Sequence, residues 1–441
     1  MIRNEPVDAN GDPFPTLFWL TCPVAVKSVS RLESAGAVGE LNRRTEQDRA
    51  FAAALAAAHE AYARERSRGF PDALAWGGVG GTAAGVKCLH AHYANHIAGG
   101  DDPVGVWVAD RVEPIHAEGD RGRVAAIDLG TNSVRLLVAS AGQDGDLDGS
   151  ARDMVITRIG QDVDRTGRID PDALARTVAV LERYSRRARA LHAERIRVAA
   201  TSAVREVSNR EELERAVREH TGVDLEVISG EQEAALSFLG STRGLGPRHE
   251  PDASDGLDAL PPYLVLDIGG GSAEFAFGTS ADRGPEATIS THLGSVRLTE
   301  RFIRSDPPAP EELDAVREET ARALAEVEFA VPVAEASTFI AVAGTATTVQ
   351  AISLGLDRYD PDRIHRTWLS RADAERALAD LVAMTNADRA ALPVMAPGRG
   401  DVIVAGALVL VETLRRFGFE RALISETDIL DGLALEMLAV R

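Results

Sequence analysis

Two acidic, glycine-bearing phrases hold the residue types from which phosphate chemistry can be built. Residues 125–139 read AAIDLGTNSVRLLVA, and residues 264–278 read LVLDIGGGSAEFAFG. Each runs as an apolar strand, Asp, an apolar residue, Gly, small or polar residues, Ser and a second apolar strand. Asp128 corresponds to Asp267, Gly130 to Gly269 and Ser133 to Ser272. Turn tips made of Gly130, Thr131, Asn132 and Ser133, and of Gly269, Gly270, Gly271 and Ser272, let backbone N–H groups converge on an anion. The Asp at each strand end is placed to hold a divalent cation or its waters. One such phrase alone is equally well an ordinary tight turn. Its duplication points to a repeated fold gripping one phosphate chain from both sides. Asp267 and Glu274 span the second hairpin, so their carboxylates can meet across its mouth. Arg135 stands where the second copy has Glu274. Further acidic residues open a helix at Glu231 and Glu233, where the helix dipole alone would favour them.

These residues need strands that end at the turns and helices that follow. Strands fit 123–128, 134–140 and 153–158. A helix fits 171–192, with Asp170 as N-cap and Pro171 in its first turn. A strand fits 195–200. A helix at 210–220 has Asn209 as cap and Glu212 completing a capping box. A strand at 224–229 leads into a helix from about 231. The Gly-, Pro- and Asp-rich stretch 244–262 reads as a connection. The order then restarts: strands 263–268, 273–278 and 287–293, helices 295–304 and 310–329, strand 338–343, helix 346–355. The tail alternates helix 399–417, strand 421–424 and helix 427–440. Two runs of three strands followed by alternating elements predict two α/β lobes of related topology, with a ligand in the cleft between them.

The 441 residues are 45% apolar and 26% charged, with a net charge of −20, a composition for two to four globular domains. The acidity argues against a broad nucleic-acid-binding surface. It also requires any anion site to be locally positive, through Arg, backbone N–H groups or metal. The start, MIRNEPVDANGD, has no basic residues followed by an apolar stretch. The apolar run Val402–Val411 is too short to span a bilayer and reads as a buried helix. Two cysteines make no disulfide framework. A cytoplasmic setting without membrane contact is the expectation.

The stretch 121–441 resembles the exopolyphosphatase/guanosine pentaphosphate phosphatase (Ppx/GppA) family, a branch of the actin–hexokinase–chaperone ATPase superfamily. The phrases that carry the resemblance are DLGTNSVRLLVA (128–139), ATSAVREVSN (200–209), VISGEQEAALSFLGS (227–241), VLDIGGGSAEF (265–275) and AVAGTATTVQA (341–351). The resemblance implies two ribonuclease-H-like α/β lobes in the short form of the family. Lobe I spans 121–255 and lobe II 262–441, with the C-terminal helix returning to lobe I. It implies Glu233 as the base that orients the attacking water, and Arg205 as the contact to the terminal phosphate. The turn residues above, with Arg135, Gly344 and Thr345, become phosphate ligands. Asp267 and Glu274, with Asp128 sharing the duty, become holders of Mg²⁺ or Mn²⁺. The break at Arg135 and Glu274 then reads as divergence, phosphate on lobe I and metal on lobe II.

Two departures stand out: Gln232 where the family often has a second Glu, and Leu430 where its C-terminal phrase bears an arginine. The implied activity is hydrolysis of the terminal phosphate of inorganic polyphosphate, of short chains above all. Hydrolysis of guanosine pentaphosphate is the first alternative, and a non-catalytic sensor of an alarmone or polyphosphate is the second. A homodimer is a further expectation.

Residues 1–118 form a separate small α+β domain. GDPFPTLFWLTCP, RLESAG and GGVGGTAAGVKCLHAHYANHIAGGDDPVG resemble domain-of-unknown-function family 501, which implies no activity. Cys22, Cys88, His90 and His92, with His96, are candidates for a zinc site or a reactive thiol. Their spacing is not that of a standard zinc finger, and a structural Cys beside helix-face histidines is the favoured reading.

Overall fold

The computed structural model describes residues 2–4, 16–67, 77–82, 84–112, 122–142, 147–245, 259–281 and 283–439. Most of GDRGR at 119–123, most of the connection 244–262, the bulk of MIRNEPVDANGD and the last residue of the expected helix 427–440 lie outside them. The chain divides into two compact units, residues 1–123 with 182–194, and residues 124–181 with 195–441.

The first unit is mainly helical. Strands β1 (Ile2–Arg3) and β2 (Phe18–Trp19) form one short antiparallel pair. Helices Pro23–Ser34, Ala37–Gln47, Arg49–Arg66, Leu89–Ile97 and Pro103–Ala109 follow. Asp48 and Asp102 cap two of them by accepting from the first-turn N–H groups, which satisfies donors no helix can pair internally. Val29, Leu41, Leu55, Leu89 and Val104 form the core of this unit.

The second unit holds two mixed sheets. The first contains β3 (Val124–Leu129), β4 (Ser133–Ala141), β5 (Leu147–Ile156), β6 (Arg195–Ala200) and β7 (Leu225–Val227), in the order β5-β4-β3-β6-β7. The second contains β8 (Tyr263–Ile268), β9 (Ala273–Gly278), β10 (Ala287–Thr291), β11 (Thr338–Val342), β12 (Thr367–Ser370) and β13 (Arg421–Ile424), in the order β10-β9-β8-β11-β13-β12. In each sheet three antiparallel strands continue into parallel neighbours. This shared order is the ribonuclease-H-like pattern, with β12 added at one edge. β3 and β8 are buried along their whole length, which explains their unbroken apolar runs.

Two helices cross between the sheets and exchange partners. Helix Gly230–Thr242 follows β7 of the first sheet but packs Ala234 and Phe238 on Tyr263, Val265 and Ala276 of the second. Helix Ile429–Ala439 follows β13 of the second sheet but packs Ile429, Leu430 and Leu433 on Val124, Ala126 and Leu137 of the first. Where they cross, a Cβ on Gly240 would lie 1.9 Å from the Asp428 carbonyl oxygen, and one on Gly432 would lie 2.1 Å from that of Leu236. Only glycine permits this backbone approach. Gly240→Ala is expected to cost about 1–3 kcal/mol or more through overpacking, read as a lower urea midpoint; an unchanged midpoint would show that the crossing has slack.

Two local expectations are corrected. Asn209 does not cap helix Arg210–Thr221; its side chain instead bonds both the N–H and the carbonyl of Ile169, at 2.9 and 3.1 Å. The capping box forms at Ser229 and Gln232. Strand β12 and helix Arg371–Ala383 belong to a stretch where no element was expected.

Candidate functional site

The two hairpins are near copies down to their turn bonds. Gly130 N–H donates to the Ser133 carbonyl and Gly269 N–H to the Ser272 carbonyl, each at 3.0 Å. The turns meet tip to tip: a Cβ on Gly270 would lie 3.0 Å from Thr131 Cβ, and one on Gly271 would lie 2.6 Å from Thr131 Oγ1. The turns therefore touch, and both line one cleft of about 800 Å³. Gly130, Thr131, Asn132, Ser133, Gly269, Gly270, Gly271, Ser272, Gly344 and Thr345 all line that cleft. Turn carbonyls are anchored from the segment after β5 and from the start of helix Ser295–Phe302. Asn132 accepts from Thr157 and Arg158, Gly270 from Val296 and Arg297, and Gly271 from the Arg297 guanidinium.

The register sets the acidic residues in pairs. Asp267 faces Glu274 across β8 and β9, as Asp128 faces Arg135 across β3 and β4. Asp267 Oδ2 accepts from Ser237 at 2.5 Å. Glu274 Oε1 accepts from Ser290 at 2.7 Å. Burial, reinforced by Asp428, pushes the Asp267 carboxyl up to about 6. Burial, reinforced by Asp267, pushes that of Glu274 up to about 8. Glu274 Oε2 and Asp128 Oδ1 are buried without a hydrogen-bond partner. Such orphaned oxygens among crowded carboxyl groups have the donor character a hard divalent cation requires.

Arg135, expected as a phosphate ligand, lines the cleft but is already ion-paired. Its Nε and Nη2 donate to Asp128 Oδ2 at 2.9 and 2.7 Å, and Nη1 is ion-paired with Asp428. The break in the repeat thus forms an internal salt bridge on lobe I. Asp428 comes from the C-terminal phrase SETDILDGLAL and is carried there by the helix crossing. Leu430 of the same phrase is buried in the first sheet's core, so it offers no charge to the cleft.

Glu233 sits in the first turn of helix Gly230–Thr242, is only 7% exposed and lines the cleft. Its Oε2 accepts from Arg205 Nη1 at 2.8 Å. Burial, with Glu274 nearby, raises its carboxyl well above the usual range, and Arg205 opposes that rise. Arg205 also donates to the Ile228 carbonyl and lies 4.0 Å from Glu274 Oε1. Arg205 and Glu274 do not line the cleft; the Arg205 guanidinium, its side chain 21% exposed, is directed at the two glutamates. Gly230 makes this approach possible, because a Cβ there would lie 2.3 Å from Ser290 Cβ. Gln232 closes the capping box, its Oε1 accepting from the Ser229 N–H at 2.8 Å. Its departure from Glu is accounted for by this helix-end role.

The sequence reading missed Arg399. It lies across Gly344 at the head of helix Ala343–Ser353 and donates to Thr348 Oγ1 at 2.8 Å. It lines the cleft, and the hydrogen bonds of its guanidinium among the described residues go to uncharged atoms, Thr348 Oγ1 and Met154 Sδ. A cation beside the positive end of a helix dipole is unfavourable unless an anion joins them. Ala343, just before Gly344, has φ of 66°, a strained conformation of the kind that clusters at binding sites. Tyr359, His365 and Glu426 complete this end, and burial pushes His365 down to about 4.

In the first unit, Cys88 and His90 come together with Glu33. Cys22 and His92 do not join them. His92 is fully buried and its Nδ1 is 2.8 Å from Asp102; Cys22 precedes helix Pro23–Ser34 as a free, half-buried thiol. The expected four-residue set is thereby corrected.

The model of the Ppx/GppA phosphatase family matches residues 138–440. That of a protein family of unknown function, DUF501, matches residues 1–110. The chain is 41% identical over 327 residues to exopolyphosphatase 2 of Mycobacterium tuberculosis, covering 71% of this chain and 98% of that protein. The crystal structure of an exopolyphosphatase-like protein superposes with a TM-score of 0.66 at 34% identity, over 72% of this chain and 99% of that one. A Ppx/GppA family member from Aquifex aeolicus superposes with a TM-score of 0.60 at 30% identity, over 72% and 97%.

Proposed function

Because the chain belongs to the Ppx/GppA phosphatase family, we propose that its second unit is an exopolyphosphatase, releasing the terminal phosphate of inorganic polyphosphate by direct attack of water. The observation that carries this reading is the Glu233 carboxyl, buried on the cleft wall with one oxygen held by Arg205. The relatives named exopolyphosphatase supply the substrate class.

Phosphoryl transfer asks mainly for positioning and charge stabilisation. Glu233 Oε2 is occupied by Arg205, so Oε1 is the acceptor for the attacking water and takes its proton. Arg205 is a positioning residue that keeps Glu233 aimed and ionised beside Glu274. The turns at 130–133 and 269–272 cradle the terminal phosphoryl group, and Arg399 with Gly344 and Thr345 receives the phosphates behind it. Asp267 and the free oxygen of Asp128, both on the cleft wall, with the buried free oxygen of Glu274, would hold Mg²⁺ or Mn²⁺. When bound, the cation neutralises charge on the phosphate oxygens.

The acidic cluster predicts how stability responds to pH. In the metal-free fold Glu274 and Asp267 keep protons that the unfolded chain has already released. Their contribution is therefore full below the ordinary carboxylate range and is lost as pH rises toward about 8. Melting of the metal-free protein is expected to fall across this window. Mg²⁺ binds the ionised form, so its stabilisation should grow with pH. A Mg²⁺ effect that is equal at pH 5 and pH 8.5 would contradict the assignment of these carboxylates.

The test of function is phosphate release from polyphosphates of defined length and from guanosine pentaphosphate, with and without Mg²⁺. Mg²⁺-dependent release from polyphosphate is expected, faster on short chains because Leu430 contributes no cation. Release from the nucleotide alone would overturn the substrate, and binding without release would favour a sensor.

A further inference from the structure

We propose that Glu33, Cys88 and His90 form a zinc site with three protein donors and one open coordination position, in the unit that carries the family match without a function. The site shares no residue with the phosphatase cleft.

Helix Pro23–Ser34 supplies Glu33, and the start of helix Leu89–Ile97 supplies Cys88 and His90. His90 Nδ1 is 3.3 Å from Glu33 Oε1 and 3.9 Å from Cys88 Sγ. The three donor atoms all lie within 4.8 Å of one another. Tetrahedral zinc with ordinary bond lengths sets N···O at about 3.3 Å and S···N at about 3.5 Å. The first separation already matches, and the second needs only a few tenths of an ångström.

The orientation of His90 supports a cation more directly. Its Nε2 is 3.1 Å from the Val26 carbonyl oxygen and 3.2 Å from Ser30 Oγ. The carbonyl can only accept and the hydroxyl can accept as well, so a proton on Nε2 satisfies both contacts. In the neutral ring Nδ1 then bears a lone pair, and it points at a carboxylate oxygen that is also an acceptor. Two acceptors at 3.3 Å require a cation or a proton between them. The carbonyl on the far nitrogen is the usual device that fixes the tautomer and aim of a zinc-bound histidine. Glu33 is fixed as well, since its Oε1 accepts from the Leu89 N–H at 2.7 Å. A thiolate, an imidazole and a carboxylate together suit zinc better than Mg²⁺ or Ca²⁺. No fourth His, Cys, Asp or Glu joins them among the described residues. The side chains of His90 and Glu33 are 23% and 29% exposed, which leaves the fourth position to water or an incoming ligand.

The experiment titrates the metal-stripped full chain with Co²⁺ in excess Mg²⁺, which occupies the all-oxygen sites of the cleft. A thiolate-to-cobalt charge-transfer band is expected, saturating at one Co²⁺ per chain and removed by Zn²⁺. Cys22→Ser should leave the band unchanged and Cys88→Ser should abolish it. Glu33→Gln keeps an acceptor for the Leu89 N–H while removing the anionic ligand, and should weaken binding about tenfold or more. If Cys88→Ser fails to fold, Glu33→Gln and Cys22→Ser decide. No band in the parent chain would leave only a histidine–glutamate ion pair and overturn the site. So would a band that survives Cys88→Ser, one lost with Cys22→Ser, or an affinity indifferent to Glu33→Gln.

Discussion

Glu233→Gln lowers the turnover of polyphosphate by about 10²–10⁴-fold, the range for losing a positioned general base, and leaves polyphosphate bound. Glutamine fills the same space and still offers Arg205 an acceptor, so the fold and the helix head survive. What disappears is an oxygen able to take a proton from water. The pH profile separates this role from a structural one. Burial and Glu274 hold the Glu233 carboxyl high, so in the parent enzyme the rate climbs with pH as the base ionises. In the variant that limb should flatten. Phosphate release under substrate saturation across pH 5–9, with binding measured alongside, checks both parts. A variant that keeps its rising limb would remove Glu233 from the proton-accepting role.

Arg135→Met lowers the stability of the second unit by about 3–5 kcal/mol, the cost of stripping one partner from a buried ion pair. Methionine keeps the bulk but leaves Asp128 and Asp428, each about 4% exposed at the side chain, facing one another unneutralised. Asp128→Asn/Arg135→Met/Asp428→Asn should regain most of the loss, since it removes the stranded charges together with the cation. Urea midpoints at pH 7 test this. If Arg135 were instead a phosphate ligand, Arg135→Met would raise KM with little change in midpoint, and the extra amides would restore nothing.

The legibility of the site in the sequence follows the range of each contact. Asp128 and Arg135, like Asp267 and Glu274, are seven apart on one hairpin, and a strand–turn–strand pattern fixes their opposition locally. The helix start at Glu233 had a local signature, but its acidity there has a bland reading in the helix dipole, and only the family resemblance singled the residue out. Gln232 was seen as a missing carboxylate, although Ser229 three residues earlier spelled the capping box it completes. Asp428 was invisible as a partner of Arg135, because 293 residues separate them and only the helix crossing unites them. The paired helical glycines, Gly240 and Gly432, were the available clue, since glycine inside a helix calls for a packing reason. Arg399 was expected as the first residue of helix 399–417, but the helix begins at Ile403 and Arg399 stands in the Pro- and Gly-bearing stretch before it, where no helix-face pattern marks it.

The exchanged helices also set the order in which this protein can be made. The first sheet is complete as a set of strands once residue 227 has emerged, but its inner face is covered by residues 429–439. During synthesis Val124, Ala126 and Leu137 therefore wait for residues 429–439 before they are buried. Domains ordinarily fold as units from the N-terminus while translation proceeds; here the earlier lobe is finished by the later one. A ribosome that stalls before residue 428, or a protease that cuts ahead of it, releases an apolar sheet face together with an Arg135–Asp128 pair lacking its third member, Asp428. Such a chain is a natural substrate for chaperones, and intact synthesis becomes a precondition for an assembled cleft.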